Sequence, residues 1–133
     1  MTSVGGVPAR TFCGPAKATV HIAGKTLSFK GGSCERTSKY LSLQIGTVVL
    51  GQAKKKKPDY FGIDVGAYPG STSKAATKDG KYVGAVIAID YHGTGYLLRG
   101  DTAKITLTGG LTRGSFTASV LFGSGSATGT FSC

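Results

Sequence analysis

Three cysteines, two histidines, six carboxylates and a run of four lysines are the side chains of this chain from which chemistry could be built. Cys13, Cys34 and Cys133 form no CxxC pair, and His21 and His92 lie in unrelated segments. The spacing of a zinc site is therefore missing. The carboxylates are Glu35, Asp59, Asp64, Asp79, Asp90 and Asp101. A glycosidase needs two of them facing one substrate bond. Asp59 and Asp64 share a segment but have opposite parity, so a strand sends them to opposite faces. Asp79 precedes Gly80 and Asp101 follows Gly100, which is turn chemistry. No G-x-S-x-G elbow, phosphate-binding loop or H-E-x-x-H is present. The chain reads as a protein without catalytic residues, metal or cofactor.

The lysine run is more informative. In "KKKKPDYFG", Lys54, Lys55, Lys56 and Lys57 stand beside Tyr60 and Phe61. Interleaved cations and rings suit a polyanion, which the lysines attract and the aromatic stacks against. Net charge is +10, from 16 basic and 6 acidic side chains, and this field favours the same partners. An anionic polymer or an anionic membrane surface is expected. Sequence-specific recognition of nucleic acid is not. The bland reading is an exposed turn, since four lysines before Pro58 cannot form a buried strand.

The elements that must position these residues follow a period of two. In "KATVHIA", Ala18, Val20 and Ile22 share a face. After a tight turn at Gly24 and Lys25, Leu27 and Phe29 alternate in the return strand, making a hairpin. Leu41, Leu43 and Ile45 point inward in "YLSLQIG", with Ser42 and Gln44 outward. Phe61, Ile63 and Val65 follow, then Ala103, Ile105 and Leu107. Phe116, Ala118, Val120 and Phe122 form the next set, and Phe131 with Cys133 the last. "KYVGAVIAIDY" is more continuously apolar and reads as covered on both faces. "STSKAATKDGKY" reads as a loop. The 22 glycines, without a collagen period, imply many turns. The fold class is all-β: an antiparallel β-sandwich or flattened barrel of about 8 to 10 short strands. Residues 1–16 read as an N-terminal arm before a single β-domain at 17–133. The arm holds Val4, Val7 and Phe12, and can lie on its own sheet or add to that of another copy. The first twelve residues have no signal-peptide pattern, and no apolar run is long enough to span a bilayer.

The final residue is a cysteine in phase with Phe131, hence inward. Cys34 falls out of phase with Phe29 unless the Gly31–Gly32 pair introduces a bulge, which would turn it inward as well. A Cys34–Cys133 bridge would close a loop of about 100 residues and stabilise by roughly 4.7 kcal/mol in the chain-entropy model. Cys13 with Cys34 is the rival pairing, and a spare Cys13 is free to bridge two chains. Stable disulfides point to an oxidising compartment.

"VHIAGKTLSFKGGSCE", "ATKDGKYVGAV" and "GTFSC" together resemble the mycobacterial 19 kDa lipoprotein antigen family of surface lipoproteins. The shared frame covers about residues 18–133. The resemblance implies a secreted, surface-exposed β-domain with a Cys34–Cys133 bridge, and it brings no catalytic residues. "ARTFC" is not a lipobox and Cys13 lies close to the first strand, so the family's lipid anchor does not carry over. The function expected is a secreted or cell-surface, non-catalytic structural or interaction module, possible self-association through β-strand contacts included. The alternative is a polyanion- or ligand-binding module using the basic loop 54–57 or an inner apolar cavity. Mass spectrometry of a non-reduced digest should find a peptide joining Cys34 to Cys133. A peptide joining Cys13 to Cys34 would overturn that pairing.

Overall fold

The computed structural model describes residues 2–4, 7–49, 58–68, 70–71, 74–121 and 125–133, none of them helical. Within them run thirteen strands: β1 (Thr2–Val4), β2 (Val7–Phe12), β3 (Lys17–Ile22), β4 (Lys25–Lys30), β5 (Gly32–Arg36), β6 (Tyr40–Val49), β7 (Tyr60–Gly66), β8 (Gly80–Val83), β9 (Ala85–Tyr91), β10 (Thr94–Tyr96), β11 (Lys104–Thr108), β12 (Arg113–Ser119) and β13 (Ser126–Ser132). They form two antiparallel sheets packed as a sandwich. The first has the order β1-β2-β6-β7-β9-β10, with β5 also paired to β6. The second has the order β4-β3-β13-β12-β11-β8.

Alternation decides which residues meet between the sheets. β12 and β13 each bury every second residue, and β3, β4 and β11 bury their apolar positions in the same way. Leu41, Leu43, Ile45, Phe61, Ile63 and Val65 come in from the first sheet. Val20, Leu27, Ile105, Leu107, Phe116 and Phe131 come in from the second. Phe61 joins the layers. Its ring lies 5.6 Å from Phe29 and 6.0 Å from Phe116. Burying one such side chain contributes about 1.5–3 kcal/mol.

The strand count exceeds the 8 to 10 expected, for identifiable reasons. β1 and β10, of three residues each, are too brief to show a period, and β5 (GSCER) has no alternating apolar residues. "KYVGAVIAIDY" is two strands, β8 and β9, one in each sheet. The chain crosses at Gly84, where φ is +92°, a value that L side chains adopt only under strain. The expectation that this segment is covered on both faces fails, because Val83 and Val86 are 61% and 48% exposed. Gly31, at φ +89°, makes the corresponding crossing from β4 to β5. Cys34 thus turns inward through a change of sheet rather than a bulge within a strand. The first hairpin turns one residue earlier than expected. Ala23 and Gly24 take φ values of +52° and +72°, and Lys25 already pairs with Ile22. The N-terminal segment lies on its own chain, with Ala9–Phe12 antiparallel to Gly46–Val49 of β6. Phe122 lies outside the described residues.

Two glycines inside strands have a different task. Gly129 pairs with Phe116, and Gly114 with Phe131. A Cβ on Gly129 would come 2.4 Å from the Phe116 ring, and one on Gly114 would come 2.4 Å from the Phe131 ring. Each ring lies across the glycine of the neighbouring strand. A methyl group in such a filled space typically costs about 1–3 kcal/mol. Gly129→Ala is expected to lower the free energy of unfolding in urea by that amount. An unchanged midpoint would show that the Phe116 ring has room to move.

Candidate functional site

The outward positions of the second sheet form a surface of one chemical kind. β-branched threonine suits a pleated strand and leaves its hydroxyl outside. Register then aligns these residues in rows. One row runs Lys30, Lys17, Ser132, Arg113, Thr108 across β4, β3, β13, β12 and β11. The next runs Ser28, Thr19, Thr130, Ser115, Thr106, Lys81. The third runs Thr26, His21, Thr128, Thr117, Lys104, Val83. Lys17, Lys30, Lys81, Lys104 and Arg113 are all exposed. No carboxylate occupies an outward position in these three rows.

Two features of this face bear on what it could hold. Lys17 and Lys30 are a directly opposed cross-strand pair. Like charges so placed destabilise a sheet, and an anion between them relieves the repulsion. Around them the surface is grooved. A shallow depression of about 480 Å³ is lined by Lys17, Thr19, Thr106, Arg113, Ser115 and Thr130 among others. A second, of about 320 Å³, is lined by Lys17, Thr19, Ser28 and Lys30. The two share Lys17 and Thr19, so cations and hydroxyl groups line one track. Lys17 and Arg113 flank Ser132 at two strand spacings, roughly 10 Å.

The residues singled out from the sequence fall elsewhere. Cys34 and Cys133 are bonded, with Sγ atoms 1.99 Å and Cα atoms 5.5 Å apart. The bridge ties β5 of the first sheet to the end of β13 in the second. Cys13 is a free, exposed thiol. Lys54, Lys55, Lys56 and Lys57 lie outside the described residues. Tyr60 is only 7% exposed. Its ring packs 6.3 Å from Phe12, and its hydroxyl lies over Gly62. The ring is part of the packing on the outer side of the first sheet and offers no open face for stacking. The space between the sheets is filled by buried apolar side chains, and the grooves described above are open to solvent. Among the described residues, no three His, Cys, Asp or Glu side chains gather as metal ligands.

The carboxylates are placed by topology in ways their spacing did not indicate. Asp59 accepts the His92 backbone N–H at 2.8 Å. Glu35 pairs with Ser42, and Ser42 with Asp64, so Glu35 and Asp64 flank one serine on the outer face of the first sheet. Ser42, expected outward, is buried there. Burial pushes the Asp64 carboxyl above its ordinary value. The Ser42 hydroxyl opposes the shift, and the Glu35 charge adds to it. Asp79 does more than make a turn. Its Oδ2 accepts the Gly110 N–H at 2.9 Å and its Oδ1 the Leu111 N–H at 2.8 Å. It thereby fastens the loop before β8 to the β11–β12 turn.

Comparison with protein-family models, curated proteins and solved structures finds no match to this chain. The likeness to the lipoprotein antigen family rests on the short motifs quoted for it.

The Gly110 bond first, then the Leu111 bond, hold the Asp79 carboxyl below its ordinary 3.8. A group lowered in this way stabilises the fold fully above that ordinary value, and the contribution is lost as pH falls through the lower folded-state value. Asp64 has the opposite sign: its cost is present at neutral pH and disappears in acid. Asp79→Ala is therefore expected to be less stable than the parent at neutral pH, with the gap closing below pH 3.8. Urea unfolding across a pH series measures it, and a gap that persists in acid would contradict the assignment.

Proposed function

We propose that this protein is a secreted, non-catalytic binding module that holds an anionic polymer against the outer face of its second sheet. The observation that carries the reading is the row of Lys30, Lys17 and Arg113 set among serines and threonines, with no carboxylate in the three outward rows of the described residues. Cations gathered without counter-charges attract polyanions and release their counterions on contact. Hydroxyl groups between them supply donors and acceptors whose geometry adapts to the bound chain. The disulfide supports an oxidising setting and hence an extracellular one.

Lys54, Lys55, Lys56 and Lys57 contribute charge of the same sign. Self-association by strand donation has less support, because β2 already uses its hydrogen bonds on β6 of its own chain. An exchange between copies would have to open that ladder first.

The test compares two variants on an immobilised polyanion across a salt series. Lys17→Ser/Arg113→Ser is expected to lose most retention. Its slope of log affinity against log salt should fall by about one per cation removed. Changing Lys54, Lys55, Lys56 and Lys57 to Ser should leave most of the retention intact. Both sets should keep their thermal stability within about 0.5 kcal/mol, as exposed substitutions do. If the loop variant loses binding and the face variant keeps it, the site lies on the loop. If the parent is not retained at low salt, the polyanion reading fails.

A further inference from the structure

A second recess lies where the sandwich is open at its side. β4 is the edge of the second sheet and β10 an edge of the first. Between them is a mouth of about 440 Å³, within the usual size of a small-molecule site. It is built from both sheets. Tyr91 and Thr94 are a cross-strand pair in the β9–β10 hairpin, and Tyr96 pairs with Ile89 on the same face. Lys25 and Leu27 of β4 line the opposite wall with Thr26.

The rings here are oriented before any ligand arrives. Tyr91 meets Phe29 edge-on, 5.3 Å between centroids at 68°, and Phe29 belongs to the core. His92 stacks on Tyr91 at 4.0 Å, held at a turn whose backbone N–H is bonded to Asp59. Tyr91 and Tyr96 are both half-buried, with the rest of each lining the mouth. Tyrosine combines an apolar face with a polar tip, and a partly buried one loses little freedom on binding. The recess thus presents the uncovered parts of Tyr91 and Tyr96, the Thr94 hydroxyl and the Lys25 ammonium, while the Thr26 hydroxyl is turned to the outer face, 3.1 Å from His21 Nδ1.

That combination matches one class of ligand. A pyranose has an apolar face of axial C–H groups, which rests on the electron-rich face of an aromatic ring. Its equatorial hydroxyls need donors and acceptors at the rim, and an acidic sugar also carries a carboxylate for a cation. A phosphate chain has neither the apolar face nor the ring. Strand β4 runs from the mouth to the charged face. β4 supplies Lys25 and Thr26 to the mouth, and Ser28 and Lys30 to the groove beside Lys17. We propose that the anionic polymer is a polysaccharide of acidic sugars, one pyranose of which seats between Tyr91, Tyr96 and Lys25 while the chain runs on along β4 to Lys17 and Lys30. This inference rests on the polyanion reading above and names its ligand.

The experiment measures binding of three soluble probes to the full chain: polygalacturonate, linear polyphosphate and an oligodeoxythymidylate, matched in charge. Tyr96→Ala should weaken polygalacturonate by about tenfold, as removal of an aromatic platform does for stacked nucleobases. Polyphosphate binding should not change. Tyr96→Phe keeps the ring and should retain polygalacturonate within about twofold, which separates stacking from loss of the hydroxyl. Thermal melting of both variants checks that the fold survives. Amide shifts induced in the parent by trigalacturonate should centre on 91–96 and 25–27, giving a readout independent of any variant. Equal effects of Tyr96→Ala on polygalacturonate and polyphosphate, or none on either, would overturn the inference while leaving the polyanion reading standing. Tighter binding of the oligonucleotide with the same dependence on Tyr96 would assign the mouth to a nucleobase and overturn it as well. Failure of the parent to bind any probe would instead remove the reading on which it rests.

Discussion

Two phenylalanine rings laid across glycines set the register of the second sheet. Phe116 on β12 covers Gly129 on β13, and Phe131 on β13 covers Gly114 on β12. The arrangement is reciprocal, so neither strand can slide without driving a ring into a filled position. A slip of one residue would also turn every inward side chain outward. The core and the outer face are thus consequences of the same register. The pairing that buries Phe116, Ala118, Ala127 and Phe131 is the one that brings Arg113 beside Ser132 and Ser115 beside Thr130.

β13 lies between β3 and β12 in the interior of its sheet. The Cys34–Cys133 bond ties its end to the other sheet across a sequence separation of 99. The constraint removes freedom mainly from the unfolded chain. It also keeps together the strand ladder on which the rows of hydroxyls and cations depend.

That face is electrostatically unfavourable by itself. Lys17 stands directly opposite Lys30, and no carboxylate lies in the outward rows beside them. Exposed like charges cost little each, because water screens them. The rings and aliphatic side chains between the sheets stabilise the fold by far more. Under the polyanion proposal this small local penalty is kept for contact with a partner, and the open side of the sandwich would extend that contact. Glu35 and Asp64 lie on the first sheet, and Asp79 binds the β11–β12 turn at the end of the second.

Local pattern alone determined the fold class of this protein. Period-two alternation is a property of neighbouring residues, so Val20, Leu27, Leu43, Ile63, Ile105 and Phe131 were legible as inward without knowing their partners. The phase of Cys133 with Phe131 likewise marked that cysteine as inward, but the rival Cys13–Cys34 pairing was excluded only by the fold. Other features were not readable, because they depend on which strands become neighbours. Glycines 31 and 84 look like any other turn residues until the chain is seen to change sheets at them. Tyr60 looks like an exposed stacking residue until Phe12 and Gly62 are found against it. The outward lysines, serines and threonines of β3, β4, β11, β12 and β13 were visible only as the polar half of five separate alternations. Tertiary structure decided that they stand side by side, because β3 and β13, more than a hundred residues apart in the chain, pair through backbone hydrogen bonds that carry no side-chain signature.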